Sequence, residues 1–265
     1  MATAAATTAG HSQSIERGLA ILSAFRSGQP LLGVSELSKL VGLSRSTTHR
    51  YVSTLATLGY LLQDPVTKKY RLGPRVLDLG FSAINSMELR DVAAPHLRQL
   101  SDDTGYTVNM AILDELDIVY VERCRSSRIG QRQIDLNLHI GARLPAYCTS
   151  LGKVLLAFLP PEEQAERLER IEFSTRGPNT LMTRAALAAE LQQVRANGFS
   201  INNEELAYGL RSIAAPILSR DGSAAAAINL AVHSTMVSMG ELVAGLSDTL
   251  RRAATDISAR LGYRP

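Results

Sequence analysis

The chain has 265 residues, an apolar fraction of 45% and a formal net charge of +3, so its length predicts two domains that each bury a core. No apolar run is long enough to cross a membrane, the opening residues MATAAATTAG lack the features of a signal peptide, and Cys124 and Cys148 have no paired spacing. We therefore expect a cytoplasmic protein without a membrane partner, a disulfide framework or a zinc site.

Positive charge is concentrated towards the N-terminus. Residues 11–75 contain nine basic and three acidic side chains, a net charge of +6 against +3 for the whole chain, so the remainder carries −3. We interpret residues 1–13 as a disordered tail, and we expect the basic part that follows to contact nucleic acid.

The first predicted helix covers residues 14–26, with Ser14 as its cap. Its apolar side chains recur on one face: Ile15, Leu19, Leu22 and Phe25. After a break in the pattern, residues 31–32 predict a short strand that could pair with a later hairpin.

The stretch 34–59, VSELSKLVGLSRSTTHRYVSTLATLG, predicts two short helices joined by a tight turn at Gly42. The expected caps are Ser35 for the first helix and Ser44 for the second. One side of the second helix is apolar and should be buried: Tyr51, Val52, Leu55 and Leu58. The other side suits base edges and phosphates: Arg45, Ser46, Thr47, Thr48, His49 and Arg50. This is the layout of a helix-turn-helix whose second helix contacts DNA.

These residues also allow another interpretation, because short amphipathic helices occur in helical bundles and polar runs usually form solvated faces. The next segment favours DNA binding, since strand-like residues flank a turn at Asp64-Pro65, with Lys68 and Lys69 at its tip. A hairpin with a basic tip predicts a winged helix-turn-helix domain over residues 14–73, with the tip on phosphate or in the minor groove. The candidate DNA contacts are Ser44, Arg45, Ser46, Thr47, His49, Arg50, Lys68 and Lys69.

Residues 74–88 predict a linker helix whose apolar side packs against a partner subunit. Beyond it, residues 89–265 combine amphipathic helices with strands, which is typical of an α+β domain. The strand candidates are residues 107–113, 117–125, 132–138, 143–146, 199–202, 211–218 and 224–233.

The sequence contains neither the G-x-S-x-G motif of serine hydrolases nor the H-E-x-x-H motif of zinc proteases. Leu151-Gly152-Lys153 resembles the end of a phosphate-binding loop, but Tyr147 stands where the first glycine belongs. The five histidines are scattered, so we expect no metal ligands and no cofactor. The adjacent Glu204 and Glu205 predict a solvated pair of carboxylates rather than acid–base chemistry.

Small and polar residues cluster at predicted loop and strand ends: Gly141, Thr149, Ser150, Gly152, Asn202, Asn203, Gly209, Ser212, Asn229 and His233. Such groups can bind a small acid through backbone N–H groups at a helix start, hydroxyls, amides and an arginine. The candidate arginines are Arg132, Arg143 and Arg211. Ordinary turns use the same residue types, so the residues alone favour turns over a binding site.

As a whole, the chain resembles the IclR family of bacterial transcriptional regulators from Ser14 to about Leu261. The resemblance rests on SIERGLAILSAF, SELSKLVGLSRSTTHRYVSTLATLGYL, YRLG after the wing, GARLPAYCTSLGKVLLAFLP and YGLRSIAAPI. Residues 119–160 are also similar to the branch that governs the β-ketoadipate pathway, namely the protocatechuate, catechol and 4-hydroxybenzoate regulators.

The resemblance implies a winged helix-turn-helix domain, a linker helix and a C-terminal GAF-like α/β effector-binding domain. It implies a homodimer or a dimer of dimers on a palindromic, double-stranded operator, and a small carboxylate or aromatic acid as effector. Carried over by motif, the effector-binding residues are Gln133, Leu136, Ser150, Leu151, Asn202, Ser212, Asn229 and Ala231.

The motif also departs from part of the family. Where glyoxylate-responsive relatives have Asp, Cys and two Ser, this chain has Asn202, Ser212, Asn229 and Ala231, which favours a different acid. We therefore expect a ligand-responsive regulator of aromatic-acid catabolism. The alternatives are a regulator of another small-carboxylate pathway, an enzyme dimerised by its N-terminal helices, and an architectural DNA-binding protein without an effector.

Overall fold

The computed structural model describes residues 12–25, 29–85, 87–125 and 138–264. The chain divides into two compact units, Met1–Ser86 and Met87–Pro265. The strand predicted at residues 132–138 falls outside the described residues, apart from its last position. Across the described ranges, no helix combines the length and the apolar character that a membrane span requires.

The first unit is a small helical domain with a two-stranded hairpin. Its described elements are α1 (Gln13–Ser23), α2 (Val34–Leu40), α3 (Arg45–Thr57), β1 (Leu61–Gln63), β2 (Tyr70–Leu72) and α4 (Arg75–Asn85). The buried apolar side chains of its core are Ile21, Leu32, Leu37, Val52, Leu61 and Tyr70. The backbone groups of Leu32 and Tyr70 bond to each other at 2.8 and 2.9 Å, which confirms that the short strand pairs with the hairpin.

The predicted start of the second helix is confirmed. Ser44 Oγ accepts the N–H of Thr47 at 3.2 Å and thus caps α3. In the preceding turn, Gly42 has a φ of +65°, a conformation that costs glycine little.

The buried side of α3 differs from the prediction at one position. Val52 is fully buried, and Tyr51 and Leu55 are partly buried against the same core. Leu58, which was expected to be buried with them, is 46% exposed because it lies beyond the last helical turn.

Two predicted helix caps are wrong. Ser35 lies inside α2, because Gly33 is the capping residue and its N–H donates to Glu36 Oε2 at 2.6 Å. Ser14 lies inside α1, because that helix begins one residue earlier than predicted. In α2, the carboxylate of Glu36 therefore makes the capping bond that we expected from the hydroxyl of Ser35.

Within its described residues, the second unit is a six-stranded antiparallel sheet with helices on both faces, which confirms the predicted α+β architecture. Its elements are α5 (Glu88–Thr104), β3 (Thr107–Asp114), β4 (Asp117–Cys124), β5 (Arg143–Pro145), a 3₁₀ turn (Ala146–Cys148), α6 (Ser150–Ala157), α7 (Pro161–Arg170), α8 (Arg184–Asn197), β6 (Ser200–Asn203), β7 (Leu210–Leu218), β8 (Ala224–His233) and α9 (Met239–Arg260). The strand order is β5-β4-β3-β8-β7-β6.

Alternating side chains of the strands build two separate cores. Met110 and Ile228 belong to the core that α5 and α9 cover, and Ala111 and Ala227 belong to the core that α6, α7 and α8 cover. All eight residues of α6 are buried, which is expected of a helix enclosed on every side. The second core therefore depends on how closely α6 approaches its neighbours.

Gly152 permits that close approach. A Cβ atom at this position would overlap the backbone of Ala146, including its carbonyl oxygen, in the 3₁₀ turn. A backbone atom cannot rotate away as a flexible side chain can, so a larger residue must push α6 and the turn apart.

We predict that Gly152→Ala lowers the free energy of unfolding by about 1–3 kcal/mol, the usual cost of overpacking. The matched control is Gly245→Ala in α9, where an added Cβ meets no atom within 4 Å. That variant should gain up to about 1 kcal/mol from helix propensity. Urea unfolding followed by circular dichroism measures both changes, and an unchanged midpoint for Gly152→Ala would contradict the packing argument.

Candidate nucleic-acid interface and ligand cavity

The solvent-facing side of α3 carries the side chains that the sequence assigns to DNA: Arg45, Ser46, Thr47, His49 and Arg50. Thr48 is buried instead, and its Oγ1 donates to Ser44 O at 2.9 Å. The Arg50 guanidinium lies 5.8 Å from the centre of the Tyr51 ring, a cation–π distance that restrains its direction. One helical surface thus presents hydroxyls, an imidazole and two guanidinium groups.

The two lysines of the hairpin tip have different surroundings. Lys68 is exposed and adopts a φ of +57° in the turn. Lys69 Nζ lies 3.2 Å from both carboxylate oxygens of Glu36 in α2. The bonds from Gly33 N–H and from Lys69 lower the pKa of Glu36 below its ordinary value. The tip is therefore basic at Lys68 and partly neutralised at Lys69.

A cavity in the second unit lies on the side of the sheet that α6 covers. Its water-accessible volume is about 60 Å³, several times the roughly 10–15 Å³ that one ordered water needs. Hydroxyl and amide groups line part of it: Asn109, Thr149, Ser150, Asn202, Ser212 and Asn229. Aromatic and aliphatic side chains line the rest: Tyr106, Tyr120, Leu138 and Leu206. The lining suits a small molecule with an apolar body and polar ends.

Strand register brings these polar residues together from distant parts of the sequence. One row across the sheet passes through Asn202, Ser212, Ala231 and Thr107. The adjacent row passes through Asn229, Asn109 and Arg123. Paired residues of neighbouring strands point to the same face, so both rows form the floor of the cavity.

The β7 end of the cavity is closed by bonds to the start of α6. Ser150 Oγ and Ser212 Oγ are 2.7 Å apart, and Ser200 Oγ donates to Ser150 O at 2.5 Å. Asn202 Nδ2 donates to Cys148 O at 2.6 Å. These bonds fix the N-terminus of α6, whose dipole favours an anion, beside the hydroxyl groups of the floor.

The β4 end contains an arginine that the sequence prediction missed. Arg123 lines the cavity, and its Nη1 donates to Asn109 Oδ1 at 3.1 Å. Asn109 Nδ2 in turn donates to Asn229 Oδ1 at 2.8 Å. Burial lowers the pKa of Arg123, and the neighbouring Arg125 lowers it further.

The residues predicted to bind an effector separate into three groups. Lining the cavity are Ser150, Asn202, Ser212, Asn229 and Ala231. Leu151 is fully buried in the core beneath α6 and does not line the cavity. Gln133 and Leu136 lie outside the described residues.

The predicted candidate arginines do not face the cavity where the structure describes them. Arg143 pairs at the surface with Asp114 and Asp117, at 2.6 and 3.4 Å. Arg211 donates to Asn203 Oδ1 and to the carbonyls of the segment before α9. Arg132 lies outside the described residues.

A buried ion pair next to the cavity corrects the prediction for Glu204 and Glu205. Glu205 is only 6% exposed, so the two carboxylates are not a solvated pair. Lys153 Nζ, at the centre of α6, lies 2.7 Å from Glu205 Oε1 and 2.9 Å from Glu190 Oε1 in α8. Burial raises the pKa of Glu205, and Lys153 opposes that rise. Lys153 therefore joins α6 to α8 and to the β6–β7 segment.

The first unit has the helices and the basic hairpin tip of a DNA-binding winged helix-turn-helix. The second unit has a partly polar cavity that suits a small ligand. A chain with both features fits one class of protein. This class is the ligand-responsive transcriptional regulators. A search against family models agrees: the IclR helix-turn-helix domain matches residues 14–65, and the bacterial transcriptional regulator IclR C-terminal domain matches residues 81–259. The chain belongs to the IclR family, and it is a regulator and not an enzyme.

Named relatives cover nearly the whole chain. The Pca regulon regulatory protein of Pseudomonas putida is 38% identical over 94% of this chain and 84% of its own. The transcriptional regulator XynR of Escherichia coli is 36% identical over 95% of this chain and 98% of its own. A crystal structure of an IclR homolog from Microbacterium hydrocarbonoxydans, complexed with 4-hydroxybenzoate, superposes with a TM-score of 0.79 at 25% identity, covering 94% and 99% of the two chains.

We predict that Lys153→Met lowers the free energy of unfolding by about 3–5 kcal/mol, because it leaves Glu205 buried without its cation. The double variant Lys153→Met/Glu205→Gln should lose clearly less than the sum of the two single losses, since it removes both charges. Urea unfolding of the four proteins measures the coupling. Additive losses would show that the ion pair does not hold these elements together.

Proposed function

We propose that this regulator senses a small aromatic acid, a substrate or intermediate of the β-ketoadipate pathway, and binds a palindromic operator as a homodimer or a dimer of dimers. The observation that carries the proposal is the cavity, which combines hydroxyl and amide groups with aromatic walls beside the N-terminus of α6. The Pca regulon regulator and the 4-hydroxybenzoate complex among the similar proteins support the class of effector.

We place the effector among residues 141–152, 202–212 and 229–233. Ser150 and Ser212 offer hydroxyl groups at one end, and the first turn of α6 offers backbone N–H groups and a favourable dipole. Tyr106 and Tyr120 supply flat apolar surface for a ring. The site fits a ligand whose charge and hydrogen-bonding groups lie at the ends of a rigid body.

For DNA, we propose that α3 enters the major groove and that the hairpin tip contacts the backbone or the minor groove. The exposed face of α3 carries Arg45 and Arg50 for guanine or phosphate, with Ser46, Thr47 and His49 for base edges. We propose that Ser44, at the cap, bonds a phosphate near the positive end of the helix dipole. Lys68 contacts phosphate directly, and Lys69 does so once it leaves Glu36.

Exposed apolar side chains on the first unit support a homodimer. Ile15 and Leu19 on α1 are 65% and 58% exposed, and Leu77 and Phe81 on α4 are 59% and 58% exposed. Within each pair the spacing is one helical turn, so each helix presents a continuous apolar stripe. A second copy of the chain would bury these stripes, and two-fold symmetry would then require a palindromic operator.

We predict that Arg50→Ala lowers operator affinity by about 1–3 kcal/mol if Arg50 contacts a guanine, and relaxes sequence preference at that position. Lys68→Ala should weaken specific and non-specific binding alike and reduce the slope of log K against log salt by about 1. Titration of the protein into labelled operator at several salt concentrations measures both. Footprints of two half-sites about 34 Å apart, or a multiple of that, would support the dimer.

Glu36→Gln is the matched control, because glutamine can keep the bond from Gly33 while it releases Lys69. It should steepen the salt dependence, whereas Lys69→Ala should make it shallower. Unchanged operator binding in Arg50→Ala, Lys68→Ala and Lys69→Ala would refute the assignment of α3 and the hairpin tip.

We predict that calorimetry detects binding of at least one of four acids: 4-hydroxybenzoate, protocatechuate, muconate and β-ketoadipate. Ser212→Ala should weaken that binding about tenfold, because the Ser150 hydroxyl loses its partner and the ligand loses a hydrogen bond. Ser150→Leu should abolish it by filling the cavity. Operator DNA should change the affinity of wild type by the same factor as the acid changes operator affinity.

The matched control is Ser258→Ala in α9, a buried serine outside the cavity whose hydroxyl bonds Ala254 O and Leu218 N–H. This substitution should lower the free energy of unfolding about as much as Ser212→Ala does, and it should leave ligand affinity unchanged. If no acid binds wild type, the class of effector is wrong. If the bound acid is insensitive to Ser212→Ala and Ser150→Leu, the site is elsewhere.

A further inference from the structure

We infer that Arg123 anchors the carboxylate of the effector, so that the ligand lies with its anionic end at β4 and its second polar end at the start of α6. The inference rests on the proposed function and adds to it the orientation of the ligand and the residue that selects an acid. In this orientation the N-terminus of α6 does not bind the carboxylate. An uncharged group of the ligand lies at that end of the cavity instead.

A β-bulge explains why Arg123 faces the cavity. In the ladder between β3 and β4, Ala111 pairs with Tyr120 and Met110 pairs with Glu122, so the register shifts by one residue. Tyr120 packs in the core on the α6 side, whereas Val121 packs in the core on the opposite side. Beyond the bulge, Arg123 pairs with Asn109 and returns to the α6 side. An extra residue in a strand reverses the facing of the positions that follow it.

The guanidinium group of Arg123 has donors left for a ligand. Its Nη1 bonds to Asn109, while its Nε is buried and has no hydrogen-bond partner among the described residues. The adjacent carboxylate of Glu122 is engaged with Arg90 Nε at 2.8 Å. No ion pair joins Arg123 to a carboxylate within the described ranges. A partly buried cation with free donors is stabilised by an anion that accepts two of them.

The surrounding amides hold the guanidinium in place. Asn109 accepts from Arg123 and donates to Asn229, so the three side chains form one chain across β4, β3 and β8. Both amides are nearly fully buried, and each has its orientation fixed by the other. A planar guanidinium fixed in this way is suited to a planar carboxylate rather than to a rounded anion.

The hydroxyl and amide side chains of Thr149, Ser150, Asn202 and Ser212, which carry no charge, line the opposite end of the cavity. Ser150 and Ser212 bond to each other there, and each hydroxyl can also bond a ligand hydroxyl. Three strand spacings, about 14 Å, separate β4 from β7, and the long side chain of Arg123 spans part of that distance. A carboxylate at one end, a ring beside Tyr120 and a hydroxyl or keto group at the other end match this arrangement.

The test compares wild type with Arg123→Met and Arg123→Lys, using calorimetry and the shift in unfolding temperature. The probes are 4-hydroxybenzoate, its amide 4-hydroxybenzamide, and the aliphatic acids muconate and β-ketoadipate. We expect Arg123→Met to lose about 10–100-fold in affinity for the acid and to lose the preference of wild type for the acid over the amide. Arg123→Lys should recover part of the affinity, since it keeps the charge but not the planar pair of donors.

Two controls separate anchoring from folding. Arg252→Met removes an exposed arginine of α9 in the same domain and should leave affinity unchanged. In the absence of ligand, Arg123→Met should lower the unfolding temperature only slightly, because the lost bond to Asn109 Oδ1 is offset by the removal of a partly buried charge that lacks a carboxylate partner. Lower affinity accompanied by a clearly lower unfolding temperature of the free protein would assign Arg123 to packing and overturn the inference.

The remaining outcomes distinguish the inference from the proposed function. Equal affinity of Arg123→Met and wild type for a bound acid overturns the inference alone. Binding of an aliphatic acid only, lost in Arg123→Met, overturns the aromatic effector and supports the anchor. If none of the probes binds wild type, Arg123 anchors no carboxylate of this class and both proposals fail.

Discussion

The α6 side of the sheet is constrained by the need to satisfy polar groups where water is largely excluded. A buried donor or acceptor without a partner costs about 1–3 kcal/mol, and this surface contains three asparagines, three serines, a lysine and a glutamate that are nearly fully buried. Each is engaged with another strand or with α6. The bonds of Ser212, Ser200 and Asn202 to the start of α6 also fix that helix beside the floor of the cavity.

Asn202 connects the cavity with the buried ion pair. Its Nδ2 donates to Cys148 O just before α6, and its Oδ1 accepts the N–H of Glu205 at 3.2 Å. The carboxylate of Glu205 pairs with Lys153 in the middle of α6. A ligand that bonds to Asn202 and displaces one of these two contacts acts directly on α6 or on the segment after β6. Such a ligand changes DNA affinity only if it favours one of two arrangements of the protein.

The sequence predicts much of the fold and only part of the site, for physical reasons. Periodicity predicts the helices and strands that are described, and the Ser44 cap is readable because capping depends on local residues. The sequence does not predict that Arg123 faces the cavity. Simple alternation from Tyr120, which faces the α6 side, would place residue 122 on that side, and the bulge shifts the position to residue 123. Lys153 is missed because a lysine within an apolar helix gains its carboxylate partners only from α8 and the β6–β7 segment, 37 and 52 residues away.

The contact between Lys69 and Glu36 is short, but it contributes little to the stability of the fold. The pair joins the hairpin to α2 across 33 residues, which suggests a structural clamp. Both side chains are more than 40% exposed, however, and exposed ion pairs contribute about 0–1 kcal/mol. Burial of Leu32 and Leu61 beneath the hairpin contributes about 1.5–3 kcal/mol each. The hairpin is therefore held by its apolar side, and Lys69 can exchange a carboxylate for a DNA phosphate at little cost to the fold.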